Sequence, residues 1–140
     1  MKYIVSRRFP LPETATELNQ SWYFSLWKTR QWPYDRVEEG DTFYWYESPK
    51  QRLVWKARLL RCEKFEFDTV EQARKGLIDI FGPFDEDQPY FEDPPSKGYA
   101  MAYRTEAEER LNLPRPTGIR LPMLGWLPVT PEIERRWLAG

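Results

Sequence analysis

The chain has 140 residues, 41% of them hydrophobic, and carries 21 Lys and Arg against 22 Asp and Glu, a formal net charge of −1. This length suits one folded domain with a buried core, and the near-neutral charge excludes a uniformly basic polyanion-binding protein. Histidine is absent and Cys62 is the single cysteine. The composition therefore excludes histidine-based nucleophile pairs, an internal disulfide and a thiolate zinc cluster, and it predicts no metal and no cofactor.

Charge is unevenly distributed along the chain. Residues 1–60 contain 10 Lys and Arg against 7 Asp and Glu, whereas residues 61–98 contain 5 against 10. A surface that binds a polyanion must therefore be a local patch, built mainly from the first of these two segments. No apolar run approaches the ~20 residues of a membrane span, and the first residues do not read as a signal peptide. We expect a cytoplasmic protein with no membrane partner.

In chain order, the first predicted element is a strand at residues 2–6, KYIVS. A charged pair and two prolines follow it, and they end the strand because proline removes a backbone donor. The segment ETATELNQ then predicts a short helical turn.

Apolar and aromatic residues alternate with a period of two in the next three segments, SWYFSLW, DTFYWYE and RLVWKARLLRC. Their aromatic and β-branched content favours strands, and EEGD and SPKQ supply the turns that join them. Trp45 and Trp55 lie on the strand faces that are predicted to be buried. Because aromatic residues occupy both faces of this meander, both faces must be covered, or one must line a barrel interior.

A helix is predicted within DTVEQARKGLIDIFGP, where Thr69 and Gln72 have the spacing of a capping box and a Gly-Pro pair marks the end. The acidic, proline-rich residues 84–98 are predicted to form a surface loop that does not pack. Acidic side chains and prolines rarely contribute to a core.

The final third of the chain begins with a predicted strand at YAMAYR. Residues 105–113 fit either two helical turns, with Thr105 and Glu108 at the spacing of a capping box, or an extended strand, and the pattern leaves both open. The segment TPEIERRWL predicts a short C-terminal helix, with Thr130 as its N-cap and Pro131 at its first position.

Aromatic residues and cations are interleaved in the segment SWYFSLWKTRQWP. Lys28 and Arg30 stand between Trp27 and Trp32, an arrangement typical of sites where a nucleobase stacks while a phosphate is held nearby. The competing interpretation assigns the two indoles to packing and the two cations to an ordinary solvated surface. The sequence leaves these interpretations open.

Three segments, FSLWKTRQW, EGDTFYWYE and RLVWKARLL, together resemble the PUA-like superfamily and its EVE and ASCH domains. The later GYAMAYR and GWLPVTPE are similar to the closing strands of such domains. The glycine usual in the third strand is absent here. The resemblance implies an α+β fold over residues 1–140 as a single domain: a small mixed or antiparallel β pseudo-barrel with two or three peripheral helices.

The resemblance also implies a non-catalytic nucleic-acid-binding function. EVE domains and the related YTH domains resemble readers that accept a flipped, often modified base in an aromatic pocket, where stacking contributes about 1–3 kcal/mol per base. The partner is DNA or RNA. The residues assigned to this site are Ser25, Trp27, Lys28, Arg30, Trp32 and Tyr46. The two indoles are expected to stack, the two cations to hold phosphate, and the tyrosine to complete the pocket wall or donate a hydrogen bond.

Two other functions stay open at this stage. A near-neutral chain with an aromatic cavity also suits a protein partner or a small ligand. A small enzyme that uses carboxylate chemistry is less favoured, because no glycine-rich phosphate loop and no nucleophile elbow is present in the sequence.

Overall fold

The alternating segments of the sequence form strands in a computed structural model that describes residues 1–139. Six strands and three helices occur in this range, in the order β1 (Lys2–Arg7), α1 (Ala15–Gln20), β2 (Tyr23–Trp27), β3 (Thr42–Glu47), β4 (Arg52–Phe67), α2 (Val70–Phe81), β5 (Gly98–Pro114), β6 (Trp126–Pro128) and α3 (Pro131–Ile133). Helix α3 continues into a π-helical turn, Glu134–Leu138, and a 3₁₀ turn, Pro89–Phe91, precedes β5.

The strands form one mixed sheet in the order β2-β5-β4-β3-β1-β6. Strand β1 pairs parallel with β3 and antiparallel with β6, while β3 pairs antiparallel with β4 and β2 with β5. A register shift between Trp45 and Tyr46 marks a β-bulge in the hairpin of β3 and β4. The predicted α+β class, with a mixed sheet and three helices, is confirmed.

Side-chain caps set the starts of the helices. The Thr69 hydroxyl accepts a hydrogen bond from the Gln72 backbone N–H at 3.1 Å, and the Gln72 side chain accepts one from the Asp68 N–H at 2.7 Å. Thr130 caps α3 in the same way. In the part of the chain described here, none of the helices has both the length and the apolar composition needed to cross a lipid bilayer.

The segment that sequence left open, residues 105–113, is extended and belongs to β5. The helical reading of the capping pattern at Thr105 is therefore replaced by a strand. Thr105 is completely buried, and its hydroxyl oxygen accepts a hydrogen bond from the Trp45 indole N–H at 3.1 Å. A side chain engaged in this way satisfies a core tryptophan and does not cap a helix.

The chain divides into two compact units. The first combines Met1–Ser21, Glu39–Leu60 and the chain from Thr105 onward, and the second combines Trp22–Glu38 and Arg61–Arg104. The long strands β4 and β5 contribute residues to both units. The single domain expected from the sequence stays a prediction.

The core of the first unit is rich in aromatic residues. One buried cluster contains Ile4, Tyr44, Tyr46, Leu53, Ile119, Ile133 and Trp137. Trp45 is completely buried, and the Trp55 indole N–H donates to the Pro12 carbonyl at 2.8 Å. Both tryptophans therefore lie in the core, as the alternation of the strands predicts, and their polar atoms have partners.

The second unit contains a buried cluster of Phe24, Leu77, Phe91 and Ala102 and a further one of Phe67, Ala73 and Ala100. The prediction that the loop at residues 84–98 does not pack is wrong. Phe91 is only 6% exposed, and the Phe84 ring centroid lies 5.3 Å from that of Phe24. The phenyl rings of this loop bury apolar area against β2, while its acidic side chains remain at the surface.

Truncation of Phe91 tests this packing. Phe91→Ala is expected to lower the free energy of unfolding by about 3–5 kcal/mol, because it leaves a cavity among aromatic rings. The matched control is Met123→Ala, since Met123 is fully exposed. Chemical denaturation measures both variants, and equal midpoints would contradict the buried position of Phe91.

Candidate functional site

The antiparallel pairing of β2 with β5 brings two distant segments together. Trp27 pairs with Tyr99, so the end of β2 meets the start of β5. The two backbones approach so closely that a Cβ added at Gly98 would lie 2.0 Å from the Trp27 carbonyl oxygen and 3.3 Å from the Lys28 Cα. Only glycine allows this approach, because the obstructing atoms are backbone and cannot rotate away.

A pocket of about 290 Å³ opens beside this crossing. Three cations, two carboxylates and two aromatic rings line it together with two small residues: Lys28, Arg30, Lys97, Glu66, Asp68, Phe67, Tyr99, Thr29 and Gly98. All of them belong to the second unit. A pocket of this size and composition suits a small, flat guest that carries both negative charge and hydrogen-bond donors.

The three cations of this pocket differ in how they are paired. The Arg30 guanidinium lies 2.7 Å from an Asp35 carboxylate oxygen. This hydrogen bond raises the pKa of Arg30 and lowers the pKa of Asp35. In contrast, neither Lys28 nor Lys97 forms a salt bridge within residues 1–139. The two lysines are therefore the cations of this pocket that no direct ion pair neutralises, and the carboxylates of Glu66 and Asp68 line the same space.

An aromatic cluster supports the pocket wall. Tyr34 packs edge-on against Trp27 and Tyr99, with ring centroids at 6.2 and 5.3 Å. Arg30 and Lys64 lie 5.8 and 5.6 Å from the Tyr34 ring centroid, within the range of cation–π attraction. Trp27 and Tyr34 are buried, whereas Tyr99 is half-buried and reaches the pocket. Tyr99 is thus the aromatic ring available to a guest.

Of the residues that the sequence assigned to the site, Lys28 and Arg30 line this pocket. Trp27 is only 8% exposed, so little of its face is free for stacking. The Ser25 hydroxyl lies 3.1 Å from the Tyr103 hydroxyl, and Trp32 is 36% exposed at the surface. Ser25, Trp27 and Trp32 are not among the lining residues.

Tyr46 lies in the first unit and does not line this pocket. It is 3% exposed, and its ring packs edge-on against Trp137 with centroids 5.7 Å apart. It lines a different pocket near the turn between β3 and β4.

Lys97 and Tyr99 are the residues that sequence reasoning missed. The signal is the run Lys97-Gly98-Tyr99, a cation and a ring around a glycine at the start of a strand. Glu66 and Asp68, at the end of β4, were also missed, because nothing local distinguishes them from other surface carboxylates. The register that pairs residue 27 with residue 99 brings these groups into one place.

No family model and no curated protein sequence matches the chain. Solved structures do match: ASCH from Zymomonas mobilis is 16% identical with a TM-score of 0.56, covering 96% of this chain and 91% of the matched one. A tyrosine-to-phenylalanine mutant of that protein is 15% identical with a TM-score of 0.58 and coverages of 96% and 94%. A serine-to-alanine mutant has a TM-score of 0.53 at 15% identity, with coverages of 96% and 92%. The chain therefore has the fold of ASCH domains, and the predicted PUA-like fold is confirmed.

Substitution of Gly98 tests the close approach of β2 and β5. Gly98→Ala is expected to cost more than about 2 kcal/mol of unfolding free energy, because the new methyl group overlaps the Trp27 carbonyl. The neighbouring exposed residue provides the control, Ser96→Ala, which is expected to stay within about 0.5 kcal/mol of the parent. Thermal and chemical unfolding measure both, and a stable Gly98→Ala protein would refute the crossing described here.

The Tyr34 hydroxyl provides a test at high pH. Burial is the largest cause that raises the pKa of Tyr34 above 10.0. The folded state therefore holds this proton more tightly than the unfolded state, and the resulting stability is lost as pH rises from 10 through the raised pKa. Tyr34→Phe is expected to flatten this alkaline loss in a profile of unfolding free energy against pH. If the parent protein and Tyr34→Phe lose unfolding free energy equally above pH 10, the raised pKa of Tyr34 is contradicted.

Proposed function

We propose that this chain, which has the fold of ASCH domains, is a cytoplasmic, non-catalytic module that binds nucleic acid and takes a flipped or modified base into the pocket beside Tyr99. One observation carries this proposal: two lysines without salt-bridge partners, Lys28 and Lys97, flank an accessible aromatic ring in a pocket of about 290 Å³. This combination serves a ligand with a flat ring and a phosphate, which is the chemistry of a nucleotide in a strand.

Each group in the pocket has a distinct part in the proposed binding. Lys28 and Lys97 hold the phosphate backbone, which positions the strand without reading its sequence. Tyr99 offers a ring face, and base stacking on such a ring contributes about 1–3 kcal/mol. Glu66 and Asp68 accept hydrogen bonds from an exocyclic amino group. The pocket should therefore favour adenine, cytosine or guanine over uracil or thymine.

The lysines provide the first test. Lys28→Gln or Lys97→Gln is expected to weaken oligonucleotide binding and to reduce the slope of log affinity against log salt by about 0.7, the value for one phosphate contact on a single strand. Lys75→Gln is the matched control, because Lys75 is an exposed lysine of the same unit that does not line the pocket. Fluorescence polarisation of labelled oligonucleotides over a salt series measures all three variants.

An equal loss in all three lysine variants would contradict the proposal. Tight binding of a peptide without any response to oligonucleotides would favour the protein-binding alternative. Replacement of Asp68 by asparagine adds a specificity readout, since it should reduce the preference for bases with an amino group.

The pairing of Arg30 with Asp35 predicts a gain of function. Asp35→Asn removes the carboxylate that neutralises Arg30, so the guanidinium becomes available to a phosphate. Oligonucleotide affinity is expected to rise several-fold, about 3- to 10-fold at low salt, with a steeper salt dependence. The double variant Asp35→Asn with Arg30→Gln should lose this gain. A decrease in affinity for the single variant would count against Arg30 as a contact in the bound state.

A further inference from the structure

A second pocket, of about 350 Å³, lies within the first unit. Its lining residues are Tyr46, Ser48, Gln51, Arg115, Arg120 and Leu121. Two arginines and two residues with a side-chain hydroxyl line this space, and no carboxylate is among the lining residues. We infer that this pocket is a phosphate-binding site, separate from the pocket beside Tyr99.

Arg115 is held in place without being neutralised. Its guanidinium donates to the Ile119 carbonyl at 2.5 Å and to the Gln51 side-chain oxygen at 3.0 Å. The Arg115 backbone N–H also donates to the Gln51 carbonyl at 3.0 Å. Both oxygens that accept from the guanidinium are neutral, so the positive charge of Arg115 is not neutralised. A guanidinium has five N–H donors, and those not engaged here are available to an anion in a fixed orientation.

Arg120 is a cation of this pocket without an internal partner. Its guanidinium forms no hydrogen bond or salt bridge within the residues that the structure describes, and the same holds for the side-chain hydroxyls of Tyr46 and Ser48. One preoriented guanidinium, one unpaired guanidinium and two hydroxyl donors therefore share one pocket. Guanidinium groups bind carboxylates and phosphates in a bidentate manner, and the two additional hydroxyl donors favour phosphate because it has more acceptor oxygens than a carboxylate.

Another pocket of the same unit shows that the presence of cations alone does not indicate a phosphate site. It has a volume of about 390 Å³ and also contains three cations, but a buried carboxylate, Glu47, lines it. Lys50 lies 3.9 Å from this carboxylate, whereas Arg52 and Arg110 contact only neutral groups, the Asn112 side chain and the Trp55 ring. A phosphate in this pocket would face the buried negative charge of Glu47, whereas no carboxylate lines the pocket of Arg120.

Two sources can supply a phosphate to this pocket: the monoester of a free nucleotide or strand end, and the diester of a strand backbone. Calorimetric titration of the full chain with inorganic phosphate, a nucleoside 5′-monophosphate and an oligonucleotide with hydroxyl ends separates them. If Arg120→Gln weakens binding of inorganic phosphate and of the monophosphate only, the pocket is a monoester site. If it also weakens binding of the oligonucleotide, the pocket is a backbone site. Both results support phosphate binding at this pocket.

Arg120→Gln is expected to weaken binding of the phosphate probes by at least about tenfold, the loss typical of a hydrogen-bonded charged partner. Arg135→Gln is the matched control, since Arg135 is an exposed arginine outside the pocket, and it should change affinity by less than about twofold. Tyr46→Phe should weaken binding by about threefold or more while it preserves the ring packing on Trp137. Thermal unfolding of each variant verifies that the fold is intact.

The inference does not depend on the proposed nucleic-acid function. The loss of oligonucleotide affinity caused by Lys28→Gln should be the same with and without Arg120→Gln, so failure of one site is distinguishable from failure of the other. The inference is overturned if Arg120→Gln and Arg135→Gln weaken binding equally, or if none of the three phosphate probes binds.

Discussion

The covering of strand β3 on both of its faces is the constraint on which the rest of the structure depends. Its residues alternate in direction, yet Phe43, Tyr44, Trp45 and Tyr46 are all buried. Pairing with β1 on one side and β4 on the other satisfies the backbone of β3. The rings contact their neighbours edge-on, as the Phe43–Trp45 and Phe43–Trp126 pairs show. Aromatic density in this part of the chain therefore produces core and leaves few ring faces for a ligand.

Because the strand interiors are used for packing, ring surface for a ligand must come from the ends of strands. Tyr99 lies at such an end, and the neighbouring Gly98 lets the backbone of β2 approach without a side chain between them. The buried rings of Trp27 and Tyr34 contribute indirectly, since they support Tyr99 from behind. In the proposed site, these two rings would shape the pocket without contacting the ligand.

Whether a cation forms a salt bridge with a carboxylate distinguishes structural cations from candidate binding groups. Exposed ion pairs such as Arg30–Asp35 and Arg136–Glu132 stabilise a fold only slightly, yet they neutralise a charge that an anion needs. Lys28 and Lys97 in one pocket and Arg120 in the other are not neutralised in this way. In the proposed sites, a neighbouring carboxylate therefore decides whether a cation is paired within the protein or available to an anion.

The sequence by itself determined the features that depend on local chemistry. Period-two alternation predicts β3 and the buried Trp45 and Trp55, and the spacing of Thr69 and Gln72 predicts the start of α2. These features follow from the direction of side chains along a strand and from the capping of nearby backbone groups. Both causes involve only residues that are close in the sequence.

Only the tertiary structure decided the features that depend on distant partners. Residues 105–113 become a strand because they belong to β5, which neighbours β4 in the sheet, although their local pattern also fits a helix. Lys97 and Tyr99 join Lys28 because the register pairs residue 27 with residue 99, and Tyr46 lines a separate pocket with Arg115 and Arg120. Strand pairing between distant segments is set by global packing, and no local pattern specifies which residues will meet.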